Sequence, residues 1–430
     1  MDARSSIPLF RQRNFSALWT GQLISILGER LTYLALLGML AAHTGHFHEA
    51  RSSGLLILLA NVMLAPVLLF SPFTGAWLDR SNLRQVVIVS DILRSVVVAL
   101  IPMAYVTTHH TGPVFVLVFV LFTCNVFFLP AKSALTPEIV PHDQLLAANA
   151  LLSGAGIAAT AAGALVGGWV VDHWGWSVAL WINAVTYLVS VGSLILIRYR
   201  PHAERPTHAE MTIGAYLREV GEGWGLVLRR PAVGLGMLVL GAVWAGGGFL
   251  HVAGNQHIQL AASHPGMERV GVLLCALGVG AGLGTWWVNG PGRALPQPML
   301  LGAGMLIGTA ALAAFALSTR FAVFAAAAFV IGVGMAPAFV LCETLLQRGT
   351  DLAQRGRVFS ARDFVMRLIF MGAVAVAGAL TGAYGTRGAL IACSGLLAAA
   401  GVGALAWGRR DPSLWHNQIS APARTASDAP

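Results

Sequence analysis

The chain has 430 residues, 56% of them hydrophobic and 10% charged, with a formal net charge of +9. A soluble globular chain carries roughly 25% charged residues, so a surface wetted mainly by water is excluded. The basic residues are not gathered into a polyanion-binding patch: 20 of the 27 Lys and Arg side chains fall in alternate connections between apolar stretches, the signature of membrane topology.

Crossing a hydrocarbon core takes roughly 20 mostly apolar residues. Twelve such stretches are predicted, at 15–42, 52–78, 85–106, 112–131, 145–171, 174–197, 231–252, 270–289, 297–318, 321–342, 360–383 and 388–408. The sequence therefore predicts an all-α membrane protein of twelve transmembrane helices in two pseudo-symmetric six-helix bundles. The bundles are 1–197 and 231–408, joined by a linker at 198–230 and followed by a disordered tail at 409–430. Within the linker, the run from Ile213 through Trp224 to Leu228 is amphipathic and is expected to lie on the membrane surface. Lys and Arg accumulate on the cytoplasmic side, which puts both termini and the linker there, with Arg51, Arg269, Arg320 and Arg387 opposite.

The first stretch is too long and too interrupted by Glu29-Arg30 to be a cleaved signal peptide, and reads as a true first span. Charges inside spans are unfavourable by about 2.5–3.5 kcal/mol, so each needs a partner or a role. Neighbours on a helix point about 100° apart, so Glu29 and Arg30 are expected to face different environments. Glu29 is a candidate cavity carboxylate that exchanges a proton or meets a cationic substrate group; the alternative is a structural ion pair with an arginine of a neighbouring helix. Beyond the first span, His43, His46 and His48 with Glu49 could bind a metal or sense pH, yet loop histidines are usually solvated and no metal is expected.

Asn61 in the second span, Asn125 in the fourth, and Asn183 and Tyr187 in the sixth are candidate cavity lining, with His251 of the seventh a candidate for proton handling. Asp91 and Arg94 share a face of the third helix, on the order of 10–15 Å inside the cytoplasmic edge. That depth suits a gate, and Asp363 with Arg367 forms a similar pair in the eleventh span; local charge compensation is the alternative for both. Gly163, Gly167 and Gly168 give the fifth span a small-residue face for tight helix packing. Glu343, with no basic residue nearer than Arg348, is expected to face water. Cys124, Cys275, Cys342 and Cys393 lie inside spans without metal-like spacing, and read as buried thiols.

Two internal matches relate the halves. Gly75-Ala-Trp77 through Arg84 recurs as Gly284-Thr-Trp286 through Arg293, and Ala162-Gly-Ala-Leu165 recurs as Ala377-Gly-Ala-Leu380. Their similar offsets, with six spans on either side of the linker, favour duplication.

The segment Gly75-x-x-x-Asp79-Arg80-x-x-x-Arg84 resembles the signature loop between the second and third helices of the major facilitator superfamily. Phe15-x-x-Leu18-Trp19-x-Gly21-Gln22 with Gly28-Glu29-Arg30, Thr136-Pro-Glu through Leu145, and Arg355-Gly-Arg357 resemble the enterobactin-exporter and macrolide-efflux type of bacterial exporters. Gly75, Asp79, Arg80 and Arg84 are candidates for the same cytoplasmic gate as Asp91, Arg94, Arg357, Asp363 and Arg367, and the resemblance implies that Asp79 faces the start of the eleventh span. Val288 replaces the acid in the second copy, so the halves should not be gated alike. The fifth span resembles the antiporter motif, but Ala164 stands where a proline is expected.

No P-loop, G-x-S-x-G or H-E-x-x-H pattern occurs and Lys132 is the sole lysine, so ATP-driven transport and catalysis are not expected. The expected function is proton-coupled export of a small amphipathic drug, macrolide or siderophore across the bacterial inner membrane, by a monomer without cofactor. Movement of a lysophospholipid or other lipid, and a non-transporting receptor or accessory role, remain the alternatives.

Overall fold

The computed structural model describes residues 8–45, 52–199, 231–261, 266–349 and 352–410, with isolated positions between 200 and 230. The His46, His48 and Glu49 cluster, most of the linker and the tail from 411 therefore lie outside the described residues, which are helical throughout apart from turns and short connections.

The helices follow the apolar stretches closely. They are α1 (Arg13–His43), α2 (Ser52–Asp79), α3 (Leu83–Thr108), α4 (Gly112–Ile139), α5 (Leu145–Trp174) and α6 (Trp176–Ile195). After the linker come α7 (Pro231–Phe249), α8 (Met267–Asn289), α9 (Gln297–Leu317) and α10 (Phe321–Gly349). A continuous stretch from Leu352 to Arg410 then holds two helices that meet at Gly385, where φ is 71° and ψ 174°. That left-handed φ breaks the helical path at little cost only because glycine has no Cβ. We label the two α11 (352–384) and α12 (386–410), so eleven long apolar segments among the described residues accommodate the twelve expected spans.

Sequence cues account for several ends. Asn82 caps α3 by accepting from the Gln85 amide at 3.2 Å. Gly175, with φ of 88°, makes the one-residue break between α5 and α6. α7 does not stop at Phe249: a π-helical turn at Leu250–Gly254 carries it into Asn255–Ala261.

Contacts divide the chain into two compact units. The first holds residues 1–218 with 251–275, the second 219–250 with 276–430. The division enters α7 at the π turn, because residues beyond it bond to the first unit: Gln256 Nε2 donates to Ser53 Oγ at 3.1 Å, and the amides of Met267 and Glu268 both donate to the Asp172 carboxylate at 2.7 Å.

In the first unit α1 packs on α5 and α6, and α3 on α4 and α6. The α1 to α5 approach uses Gly163 and Gly167, where an added Cβ would lie 2.9 Å from the Leu27 carbonyl and 3.2 Å from Leu31 Cα. Gly168 serves another neighbour, α8, with Glu268 Cα 2.8 Å from where its Cβ would stand. Phe15, Leu18, Leu83, Val87, Phe128 and Leu135 form a core cluster at one end of this unit. In the second unit Met237, Leu240, Cys342 and Met366 join α7, α10 and α11.

Candidate functional site

Three buried or half-buried charges from two helices meet inside the first unit. Arg94 of α3 is 1% exposed, and its guanidinium bonds to Asp91, which is fully buried one turn earlier on the same helix. Arg94 Nη1 also donates to Glu29 Oε1 of α1 at 2.9 Å and to Asn125 Oδ1 of α4 at 3.3 Å. The guanidinium carbon lies over two rings, 3.8 Å from the centroid of Phe128 and 4.6 Å from that of Tyr187. Ser190 Oγ donates to the second oxygen of Asp91 at 2.7 Å. An arginine suits this position because its flat, delocalised cation can bond in plane to carboxylates while its faces stack on aromatic rings.

The two acids are not equivalent. Asp91 is shielded from solvent and accepts from both Arg94 and Ser190, whereas the Glu29 side chain keeps 29% of its surface exposed. The exposed part opens into a cavity of about 240 Å³ lined by Glu29, Arg30, Thr32 and Tyr33 of α1, Met63 of α2, Arg94 of α3, Leu121, Phe122 and Asn125 of α4, and Tyr187 of α6. Glu29 and Arg30 thus line one cavity, contrary to the expectation that successive positions would face different environments. The angular separation is real, but an arginine reaches far along its flexible stem. Arg30 makes no hydrogen bond or ion pair among the described residues, and its buried Nε has no partner.

A second polar chain begins at Tyr33, one turn past Glu29. Its hydroxyl lies 3.0 Å from His251 Nδ1, and His251 Nε2 lies 3.1 Å from the Leu56 carbonyl. A carbonyl only accepts, so in the neutral imidazole Nε2 carries the proton and Tyr33 donates to Nδ1. His251 sits in the π turn of α7, a distortion often found at functional sites.

The remaining candidates separate by location. Asn183 is buried between helices, donating to Thr32 Oγ1 at 2.5 Å, so it holds α6 on α1 rather than lining the cavity. Asn61 lies two residues before the lining Met63, with a buried, unpartnered Oδ1. Asp91 and Arg94, expected with the gate, form one network with Glu29, in which Arg94 bonds to both acids. Gly75 and Asp79 occupy the last turn of α2, with the side chain of Asp79 outside the described residues, and Arg80 is exposed in the turn that follows. Arg84 donates to the carbonyls of Leu194 and Ile195 at 3.2 and 2.6 Å, where a cation is favoured at the end of a helix. In α11 the Arg357 side chain is outside the described residues and Arg367 lies one turn past Asp363. Asp363 accepts from the adjacent Arg362 at 2.9 Å. The same guanidinium pairs with Glu343, which is therefore not simply facing water. Among the described residues no cluster of His, Cys, Asp and Glu could hold a metal.

Sequence reasoning passed over Tyr33, Phe128, Ser190 and Asp172. Tyr33 carried a usable signal, four residues after Glu29 on the same helix face. Asp172 also carried one, as an acid at the C-terminal end of α5, where the dipole disfavours it. Phe128 and Ser190 carried none, since they reach Arg94 and Asp91 from other helices.

Among known proteins, the chain is 27% identical to the uncharacterized MFS-type transporter YfiS of Bacillus subtilis, over 91% of this chain and 92% of that one. It is 23% identical to macrolide efflux protein A of Streptococcus pyogenes over 54% of this chain and 55% of the other. Its fold matches that of a bacterial homolog of the human lysosomal transporter Spinster, with a TM-score of 0.73 at 14% identity, covering 97% of this chain and all of that one. The family model of the Major Facilitator Superfamily matches residues 18–360. With its helical architecture, its multi-pass apolar spans and this match over most of its length, the chain belongs to the Major Facilitator Superfamily of transporters.

Proposed function

We propose that the protein is a secondary active transporter that exports a small amphipathic molecule, such as a drug, macrolide or siderophore, in exchange for protons. It does so across the bacterial inner membrane, as a monomer with both termini in the cytoplasm. The observation that carries this reading is the asymmetry of the two acids: Glu29 alone of the pair reaches the cavity, while it remains bonded to the buried Arg94.

Ionised, Glu29 accepts a charge-assisted hydrogen bond from Arg94 and presents its other oxygen to the cavity. Protonation removes its charge and weakens its hold on Arg94, which stays fixed by Asp91, Phe128 and Tyr187. A proton and a cationic substrate group therefore exclude one another at Glu29, the linkage an antiporter needs. Efflux is further favoured by the likeness to macrolide efflux protein A.

The test is transport of erythromycin and ethidium in proteoliposomes with an imposed pH gradient. Accumulation is expected to collapse with a protonophore and to fall at least about tenfold in Glu29→Gln. Accumulation that ignores both the gradient and the substitution would overturn the reading.

A further inference from the structure

The charges at the cavity are unequally engaged. Arg94 is shared by Asp91 and Glu29, whereas Arg30, which lines the same cavity, has no bonding partner among the described residues and buries an unsatisfied Nε. Its stem is confined by α5, since the space that a Cβ on Gly163 would occupy lies 3.1 Å from Arg30 Cβ. A guanidinium held inside a span without a partner is unfavourable unless something else supplies the anion.

We propose that the cavity takes a zwitterionic, amino-acid-like amphiphile, whose carboxylate pairs with Arg30 while its ammonium meets the free oxygen of Glu29. The two anchors are adjacent in sequence and open into the same space, so they can grip groups on neighbouring atoms of one small molecule. Glu29, Arg30, Arg94 and the Asp91 behind it carry two negative and two positive charges. A zwitterion enters such a set without changing its net charge, so both of its groups can be matched in a low-dielectric site. Lys132 does not line the cavity, and its ammonium lies 5.9 Å from the Phe128 ring. Neutral donors and acceptors, Tyr33 and Asn125, also line the cavity, and Met63, Leu121 and Phe122 offer apolar surface for a side chain or tail. A volume of about 240 Å³ accommodates a compact polar head of this kind.

The inference rests on the export reading for the direction of movement and for the competition between proton and ammonium at Glu29, and it is tested by binding alone. Three fluorescent probes share one dansyl group. Nε-dansyl-lysine carries both charges, dansylcadaverine is the same molecule without the carboxylate, and dansylglycine lacks the ammonium. Binding to the full chain in nanodiscs is measured at constant pH with no gradient.

The wild-type protein is expected to bind Nε-dansyl-lysine about tenfold more tightly than either single-charge probe, the scale of one charge-assisted hydrogen bond. Arg30→Gln should bring Nε-dansyl-lysine to the level of dansylcadaverine, whose own binding should change less than about twofold. Arg30→Lys, which keeps the charge, should retain most of the preference and controls for a fold disturbed by the substitution. Equal binding of the three probes, binding of none of them, or a carboxylate preference that survives Arg30→Gln would each overturn the inference. Because no gradient is applied, such a failure leaves gradient-driven export standing, while a failure of gradient coupling leaves this binding result intact.

Discussion

Arg94 decides what its neighbours can do. It is the hub of a buried network, so truncation leaves the buried Asp91 carboxyl without its main partner; breaking a buried pair from one side costs about 3–5 kcal/mol. Arg94→Leu is accordingly expected to lower the thermal unfolding midpoint strongly in detergent, read by a thiol-reactive dye on the buried Cys342 and Cys393. Ser190→Ala removes one hydrogen bond to the same carboxylate and should cost about 1.5–3 kcal/mol, with Arg94 still in place. A smaller loss for Arg94→Leu than for Ser190→Ala would contradict the hub. The sequence exposed the participants of this network better than their pairing. Charges inside spans marked Glu29, Asp91 and Arg94, yet the depth of Asp91 and Arg94 suggested a place in the cytoplasmic gate. The bond from Glu29 to Arg94 joins residues 65 apart, and no local pattern encodes it.

Helices here approach closely where glycine permits, and each contact has its own tolerance. At Gly28 of α1 a Cβ would collide with the side-chain oxygens of Asn183 and Thr186, and Asn183 cannot retreat because it is hydrogen bonded to Thr32. Gly28→Ala is expected to destabilise by about 1–3 kcal/mol through overpacking. Gly282 of α8 has nothing within 4 Å of its would-be Cβ, so Gly282→Ala should be neutral or stabilise by up to about 1 kcal/mol. Comparable losses at both positions would argue against the packing described. Asp172 holds the start of α8 by two amide bonds, and Asp172→Ala should cost about 1–2 kcal/mol, measured in the same thermal assay. Element limits were legible because apolar length is set by the membrane, and the run from Leu352 to Arg410 matches two predicted spans parted at Gly385. The π turn of α7 was not legible, since no residue of Leu250–Gly254 marks a change of helical pitch, and the partners of His251, Tyr33 and Leu56, come from other helices.

At the scale of the whole molecule, a chain with so few charges concentrates several of them at one place and leaves one of the two acids, Glu29, in reach of a ligand. If Glu29 couples proton movement to substrate movement, removing its charge should uncouple transport without destroying the pathway, because glutamine can still accept from Arg94. The most direct measurement sets two transport modes side by side in Glu29→Gln proteoliposomes: exchange of labelled for unlabelled substrate without a gradient, and uphill accumulation driven by one. The substrate is whichever macrolide or dye the wild-type protein moves. Exchange is expected within about threefold of wild type while accumulation is lost. Loss of both modes together, or retention of both, would contradict a coupling role for Glu29.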